Sequence, residues 1–388
     1  MTRQIIFILT ITFIGCGQRN TVVKGNTTND TLHVFFPINN NLNGNIEILT
    51  EYDGKLFAAG KLEESNGELI SNIACWDGKN WLPVGEGLNG NVMTLAVFNN
   101  ELYAGGTFDK AGNVPVKNIA KWDGDKWTDV GGGTNGFFIV ETEWVNGKKT
   151  FTRSINGYVN FVATFKNELY VSGRFDRVGE VSAHNFAKWD GKRWLAIGKG
   201  INDNVRALQV YKDTLYAAGA FDTIDNKPFN HIAKWDGNNW SSVGEGINSE
   251  VYCLSVFENE LYAGGCFTEA DKTSAIGIGK WNGQEWTSVD RGMNVSKMGS
   301  VGTMIVYNNH LYAGGLFDSA GSVLANNIAK WNGVAWTSLK KGANSSIDAL
   351  TLYKGDLILA GSFDSLGNVA AHNLARWAVP DGRFSKSQ

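Results

Sequence analysis

The sequence predicts an all-β fold, a seven-bladed β-propeller of four-stranded antiparallel blades. Three observations carry this expectation. First, a tryptophan signature recurs at Trp76, Trp122, Trp189, Trp235, Trp281, Trp331 and Trp377, with gaps of 46, 67, 46, 46, 50 and 46 residues. One period of 46 residues with two insertions accounts for every gap, and periods of about 40–50 residues mark propeller blades or helical arrays. Second, the unit 91–136 divides into VMTLAVF, ELYAGGTF, KNIAKW and KWTDVG. Each segment is short, β-prone and bounded by Gly, Asn or Asp, which leaves no room for a long helix. Third, the second segment recurs seven times, as LFAAG, LYAGG, LYVSG, LYAAG, LYAGG, LYAGG and LILAG. Its last residue is always Gly and the one before it always Gly, Ala or Ser, which points to close backbone approach or a bulge.

The elements follow in chain order. Residues 1–16, MTRQIIFILTITFIGC, place Arg3 before an apolar run from Ile5 to Ile14. That run is too short to span a bilayer as a helix and reads as a secretory signal. Its end, FIGC, resembles a bacterial lipobox, with Phe13 in place of the usual Leu. The resemblance implies lipidation of Cys16, and with Gln18 in place of Asp, an outer-membrane destination. Residues 17–30 are polar and aperiodic, a tether. The propeller spans 31–378, and 379–388 form a C-terminal tail. The seventh unit lacks a fourth strand after Trp377, while residues 35–44, FFPINNNLNG, align with 81–90, WLPVGEGLNG. The N-terminal strand, about 32–38, is therefore expected to complete the last blade, with Phe35 in the place of the second tryptophan. This pairs an otherwise open edge.

Composition narrows the function. The net charge of −3 gives no reason to expect a nucleic acid as partner. Beyond Cys16 the cysteines are Cys75, Cys253 and Cys266, an odd count without regular spacing. Cys253 and Cys266 fall on neighbouring predicted strands, where one bridge is conceivable. Cys75 occupies a position that carries Lys or Arg in other units and reads as a plain substitution.

The motifs LYAGGxF and NIAKWDGxxW resemble kelch-type repeats, with a glycine doublet ending one strand and an aromatic residue opening the fourth. They are still more similar to the YAGGxF…WDGxxW repeats of bacterial secreted proteins and of some fungal cortical polarity markers. The resemblance covers about residues 31–378. It implies a propeller of the galactose oxidase-like kind, a fold that hosts binding, scaffolding and catalysis alike.

The recurring residues read as structure. The pairs Trp76/Trp81, Trp122/Trp127, Trp189/Trp194, Trp235/Trp240, Trp281/Trp286 and Trp331/Trp336 flank tight turns. They are expected to face each other across the third and fourth strands rather than cage a ligand. The acidic residues after the glycine doublet, such as Asp109, Asp222 and Asp364, are expected to cap turns rather than bind metal. Asn72, Asn118, Asn185, Asn327 and Asn373 are expected to satisfy loop backbone. The five histidines have no motif spacing, no hydrolase or phosphate-loop signature occurs, and no cofactor is expected.

Departures from the repeat are the informative places. Residues 137–157 add a predicted hairpin between units two and three, carrying Trp144, the one tryptophan outside the repeat, with Phe137, Phe138 and Phe151. A smaller insertion lies near 294–302. Both join a fourth strand to the next first strand, so long loops collect on one face of the disc. The leading expectation is an envelope-anchored monomer that binds an envelope protein or glycan through this face, using Phe137, Phe138, Trp144 and Phe151. The alternatives are an envelope glycan hydrolase or lyase with acidic residues in the central funnel, and a structural subunit of an envelope complex.

Overall fold

The computed structural model describes residues 33–38, 42–145, 148–294 and 300–380. The predicted signal, Cys16, the tether and most of the tail lie outside the described residues. Those described contain strands and turns and no α-helix. Seven antiparallel sheets form the blades, six of four strands and that of blade 1 of five, because Glu68–Leu69 adds a short strand beside its second strand. Blade 2, for example, comprises Val92–Phe98, Glu101–Gly106, Ile119–Trp122 and Trp127–Asp129, in sequence order across the sheet. The first strands of successive blades touch one another around a closed ring, from blade 1 through blade 7 and back to blade 1. They are thus the inner strands and surround the axis. Buried clusters made of side chains from adjacent blades fill the space between blades.

Ring closure follows the predicted register. Val34–Pro37 pairs antiparallel with Leu374–Ala378, placing Phe35 opposite Trp377, with ring centroids 4.6 Å apart. Phe36 lies over the Arg376 guanidinium at 4.5 Å. Arg376 in turn donates to Asp356 at 2.8 Å, and both side chains are almost fully buried. His33 also stacks on Trp377, with ring centroids 5.8 Å apart.

The six tryptophan pairs sit in register across the third and fourth strands: Trp76 opposite Trp81, Trp122 opposite Trp127, Trp189 opposite Trp194, Trp235 opposite Trp240, Trp281 opposite Trp286 and Trp331 opposite Trp336. Their centroids lie 5.1–5.6 Å apart and the rings are tilted. A link confined to one blade is too narrow a reading, however, because the second indole of each pair also packs on the preceding blade. Trp81 shares a buried cluster with Tyr353 of blade 7, and Trp336 shares one with Phe257 and Tyr262 of blade 5. Trp240 is half-buried and meets the Phe186 ring of blade 3 at 5.7 Å.

Hydrogen bonding divides these second tryptophans into two groups. Trp127 Nε1 donates to the Val84 carbonyl of blade 1 at 2.9 Å, Trp194 to Val130 of blade 2 at 2.9 Å, and Trp286 to Val243 of blade 4 at 3.2 Å. In Trp81, Trp240 and Trp336 the indole N–H is buried and finds no acceptor. Those three join their blades through apolar packing, which is the part of the contact common to the six pairs.

The invariant glycine has a direct cause. Every first strand bulges opposite the glycine doublet, skipping one residue in the pairing, as between Val92 and Thr94. The bulge drives a carbonyl against the last glycine of the second strand. A Cβ on Gly106 would sit 2.0 Å from the Asn91 oxygen, on Gly173 1.9 Å from Tyr158 O, and on Gly265 2.2 Å from Glu250 O. No side chain fits such a gap.

The conceivable Cys253–Cys266 bridge is not formed. Cys253 is buried and its thiol lies 3.6 Å from the Val301 carbonyl of blade 6, whereas Cys266 sits at the inner rim beside Tyr252, 3.4 Å from its hydroxyl. Bulging of the first strand after Val251 separates the roles of the two side chains, one core and one rim. Cys75 stands where Lys121 of blade 2 meets Glu101 at 2.7 Å. In blade 1 the acid is replaced as well, by Lys55.

Candidate functional site: the long-loop face and the axial mouth

Connections between strands one and two, and between three and four, are tight turns on one face of the disc. Asn99–Asn100 and Gly124 adopt the left-handed backbone these turns need. The other two connections in each blade are longer and share the opposite face. They are joined there: the connection into blade 2 bridges the following loop at Leu88 and Ala111, and the same bridge recurs at Ile201/Ile224, Ile247/Ala270 and Ala343/Leu366.

A side-chain latch reinforces each joint. Asn89 Nδ2 donates to Asp109 at 2.7 Å, while Asn89 Oδ1 accepts the backbone N–H groups of Asp109 and Lys110. Asn202 repeats this with Asp222 and Thr223, and Asn248 with Thr268 and Glu269. This corrects the expected role of the recurring acidic residues. The side chains of Asp109 and Asp222 tie to the loop entering the blade, twenty residues earlier in sequence, whereas those of Asp176 and Asp364 meet a histidine eight residues on. The recurring asparagines behave as expected: Asn185 Nδ2 reaches the Ile201 carbonyl at 2.9 Å and its Oδ1 accepts the Phe175 N–H.

The insertion between blades 2 and 3 is a hairpin on this face, Phe137–Val145 paired with Lys148–Asn156. Gly157 N–H closes its base on the Gly136 carbonyl at 2.7 Å. Phe138 pairs with Ile155, Phe151 with Thr142, and Trp144 with Lys149. The side chains of Phe137, Phe138, Trp144 and Phe151 lie outside the described ones.

A second cluster went unread in the sequence. The skipped residue of each bulge is Glu47, Met93, Asn160, Arg206, Tyr252, Gly302 and Asp348, one from each blade. Each lies near the start of its first strand, so the ring they form lines the axial mouth on the long-loop face. Six are half-buried and Asp348 is exposed. The residues just before them are aliphatic in every blade: Ile46, Val92, Val159, Val205, Val251, Val301 and Ile347. The ring therefore holds seven different residue types beside a nearly constant framework. Aligning the units on the aliphatic position would have exposed this.

The ring is polar and interlinked. Asn91 beside Met93 donates to Glu47 at 2.9 Å, and Asn160 to the Val205 carbonyl at 3.3 Å. Arg206 pairs with Glu250 at 3.1 Å and lies over the Tyr252 ring at 5.2 Å. Burial first, then the Cys266 thiol beside it, raises the Tyr252 hydroxyl above its ordinary range, so the phenol stays protonated at neutral pH. Asn91 Oδ1, Asn160 Oδ1 and Arg206 Nε are buried without a protein partner, which leaves hydrogen-bonding capacity at the mouth. His184 and His372 each meet the aspartate of their own blade, Asp176 and Asp364, at 3.4 Å, so they do not converge. No group of three metal-ligating side chains occurs among the described residues.

Comparison with known proteins bears on the fold. No protein-family profile matches the chain, and no curated protein is similar to it in sequence. Solved structures similar to it include the WD40 β-propeller domain of Doa1, at 13% identity, covering 91% of this chain and 99% of that one with a TM-score of 0.51. A chain of the Mitotic Checkpoint Complex matches at 14% identity over 98% of this chain and 100% of that one, with a TM-score of 0.53. The extracellular domain of BT4673 from B. thetaiotaomicron matches at 10% identity over 90% of this chain but only 40% of its own, with a TM-score of 0.52. At these identities the likeness is one of fold: the chain is a β-propeller.

Proposed function

We propose that the protein is a binding or scaffold module, a kelch-like propeller that engages an envelope protein or glycan through its long-loop face. One observation carries this reading. The seven blades place seven different residue types around the axial mouth, and the inserted hairpin lies on the same face. A repeat scaffold that keeps its framework and diversifies one surface presents a composite site there. The signal-like N-terminus supports export, with the propeller held at the envelope by a lipid on Cys16 and acting as a monomer. Replacing Trp144 and Phe138 by Ala should weaken capture of partners from envelope extracts at unchanged melting temperature. Unchanged capture removes the hairpin from the site. Fatty-acid labelling that survives Cys16→Ser removes the anchor.

The enzymatic reading draws support from Glu47, Glu250 and Asp348, carboxylates brought to one mouth from three blades. A glycan hydrolase would use two of them. Hydrolysis of envelope glycan that disappears with both Glu47→Gln and Asp348→Asn would establish it. The subunit reading requires a broad apolar face. The exposed large hydrophobic side chains among the described residues are spread over blades 1, 5 and 6, and Val334 is on the tight-turn face.

A further inference from the structure

We infer that the axial mouth contains a binding notch for a neutral sugar residue, seated over Gly302 between the ring of Tyr252 and the carboxylate of Asp348. This deepens the long-loop-face reading above and rests on it.

Blade 6 contributes Gly302 to the ring, so the ring has no side chain there. The space is open: a Cβ on Gly302 would have as its nearest neighbour the Ile347 carbonyl oxygen, at 4.0 Å. Blade 5 forms one wall. Arg206, from blade 4, covers one face of the Tyr252 ring at 5.2 Å. Tyr252 and Asp348 hold the ring positions on either side of Gly302, on blades 5 and 7. Blade 7 forms the other wall, where exposed Asp348 accepts the Ser362 hydroxyl on Oδ2 at 3.4 Å. A gap with an aromatic plane on one side and a carboxylate on the other results from three different residues at one repeat position.

The chemistry of these walls selects the ligand. A pyranose offers an apolar C–H face to an aromatic ring and a rim of hydroxyls to planar acceptors such as a carboxylate. An anion is disfavoured, because Asp348 repels it and Arg206 is engaged by Glu250 at 3.1 Å. An organic cation would also approach the Tyr252 ring. However, Arg206 already draws on the π density of that ring, so a second cation on the other face gains less. A neutral polyhydroxyl residue incurs neither penalty.

Saturation-transfer NMR on the intact protein tests this with free galactose, glucose, mannose and N-acetylglucosamine, alongside choline and inorganic phosphate. We expect transfer to at least one sugar with millimolar affinity, weakened about tenfold or more by Tyr252→Ala and by Gly302→Leu. The Gly302 backbone is not left-handed and has room for a Cβ, so the leucine should fill the notch without lowering the melting temperature. Transfer to choline or phosphate in place of sugar, or to no probe, overturns the inference. So does sugar binding that Gly302→Leu leaves unchanged. If the notch fails in this way while Trp144→Ala still abolishes capture, the long-loop-face reading stands without it; if neither variant affects binding, both fall.

Discussion

Replacing Phe35 by Ala tests ring closure at a single side chain. Phe35 is 5% exposed and packs at 4.6 Å against Trp377, in a core that includes Leu339, Leu357 and Leu366. Truncating a buried Phe costs about 3–5 kcal/mol, the lost transfer energy plus the cavity left behind. Unfolding entropy of about 2.1 cal/mol/K per residue over roughly 350 residues gives about 0.7 kcal/mol/K, so the melting temperature should fall by about 4–7 °C. Circular dichroism and tryptophan fluorescence should report the same transition, because the ring unfolds as a unit when its closure fails. Phe35→Trp is the control. It recreates the pair found in the other six blades and should recover most of the loss. Deleting residues 31–40 should cost more than Phe35→Ala, since it also opens the strand edge at Leu374–Ala378 and uncovers the buried Arg376–Asp356 pair. A fall below about 1 °C for Phe35→Ala, or a deletion that keeps the melting temperature, would refute closure by this strand.

Other expectations follow from the same contacts. Gly265→Ala should destabilise by about 2–3 kcal/mol in denaturant titration, since its Cβ meets the Glu250 carbonyl at 2.2 Å. Gly264→Ala should cost less, because its Cβ would meet side chains that can shift, Cys253 Sγ and Val301 Cγ1 at 2.7 Å, rather than a backbone carbonyl, and Ala stands there in other units as Ala59 and Ala218; a larger cost at Gly264 would contradict the bulge explanation. Asn89→Ala removes three latch hydrogen bonds and should cost about 1–2 kcal/mol after allowance for exposure, with faster amide exchange at Asp109 and Lys110. Burial lowers the His33 pKa from its ordinary 6.5, partly opposed by Asp356. The folded chain thus holds His33 neutral where the unfolded chain takes up a proton. Its contribution is complete above pH 6.5 and is lost as the pH falls toward its lower folded value. His33→Gln should flatten the stability profile between those two values, and an unchanged slope would assign the pH dependence to other groups.

Much of the fold was legible because its causes are local and repeated. The tryptophan spacing gave the blade count, and the match between FFPINNNLNG and WLPVGEGLNG gave the closure register down to Phe35 opposite Trp377. The tryptophan pairs were legible as cross-strand partners, since five residues and a tight turn separate them. Their second role was not, because the Val84 carbonyl that meets Trp127 lies 43 residues away on another blade. The glycine doublet announced a close approach, but the bulge responsible lies on the partner strand, where a single chain segment leaves no mark. The acidic residues after the doublet were misread because Asn89 and Asp109 meet through loop packing rather than through a local turn. The axial ring was missed for a related reason. Its seven residues share no type, and only the bulge, which exempts them from pairing, sets them apart from ordinary strand positions. Trp144 stood out because it breaks the pattern, and the structure places it on a paired strand of the inserted hairpin.

If binding belongs to one face of the disc, masking the two faces in turn separates them. Leu324, 69% exposed, lies in a long connection of blade 6, and Val334, 82% exposed, lies in a tight turn of the same blade. Each is replaced by Cys and coupled to a polyethylene glycol chain, in a background with Cys75 and Cys266 changed to Ser, and partner capture is compared at matched melting temperature. The chain at 324 should abolish capture and the chain at 334 should leave it intact. Capture lost only when position 334 is masked would contradict it.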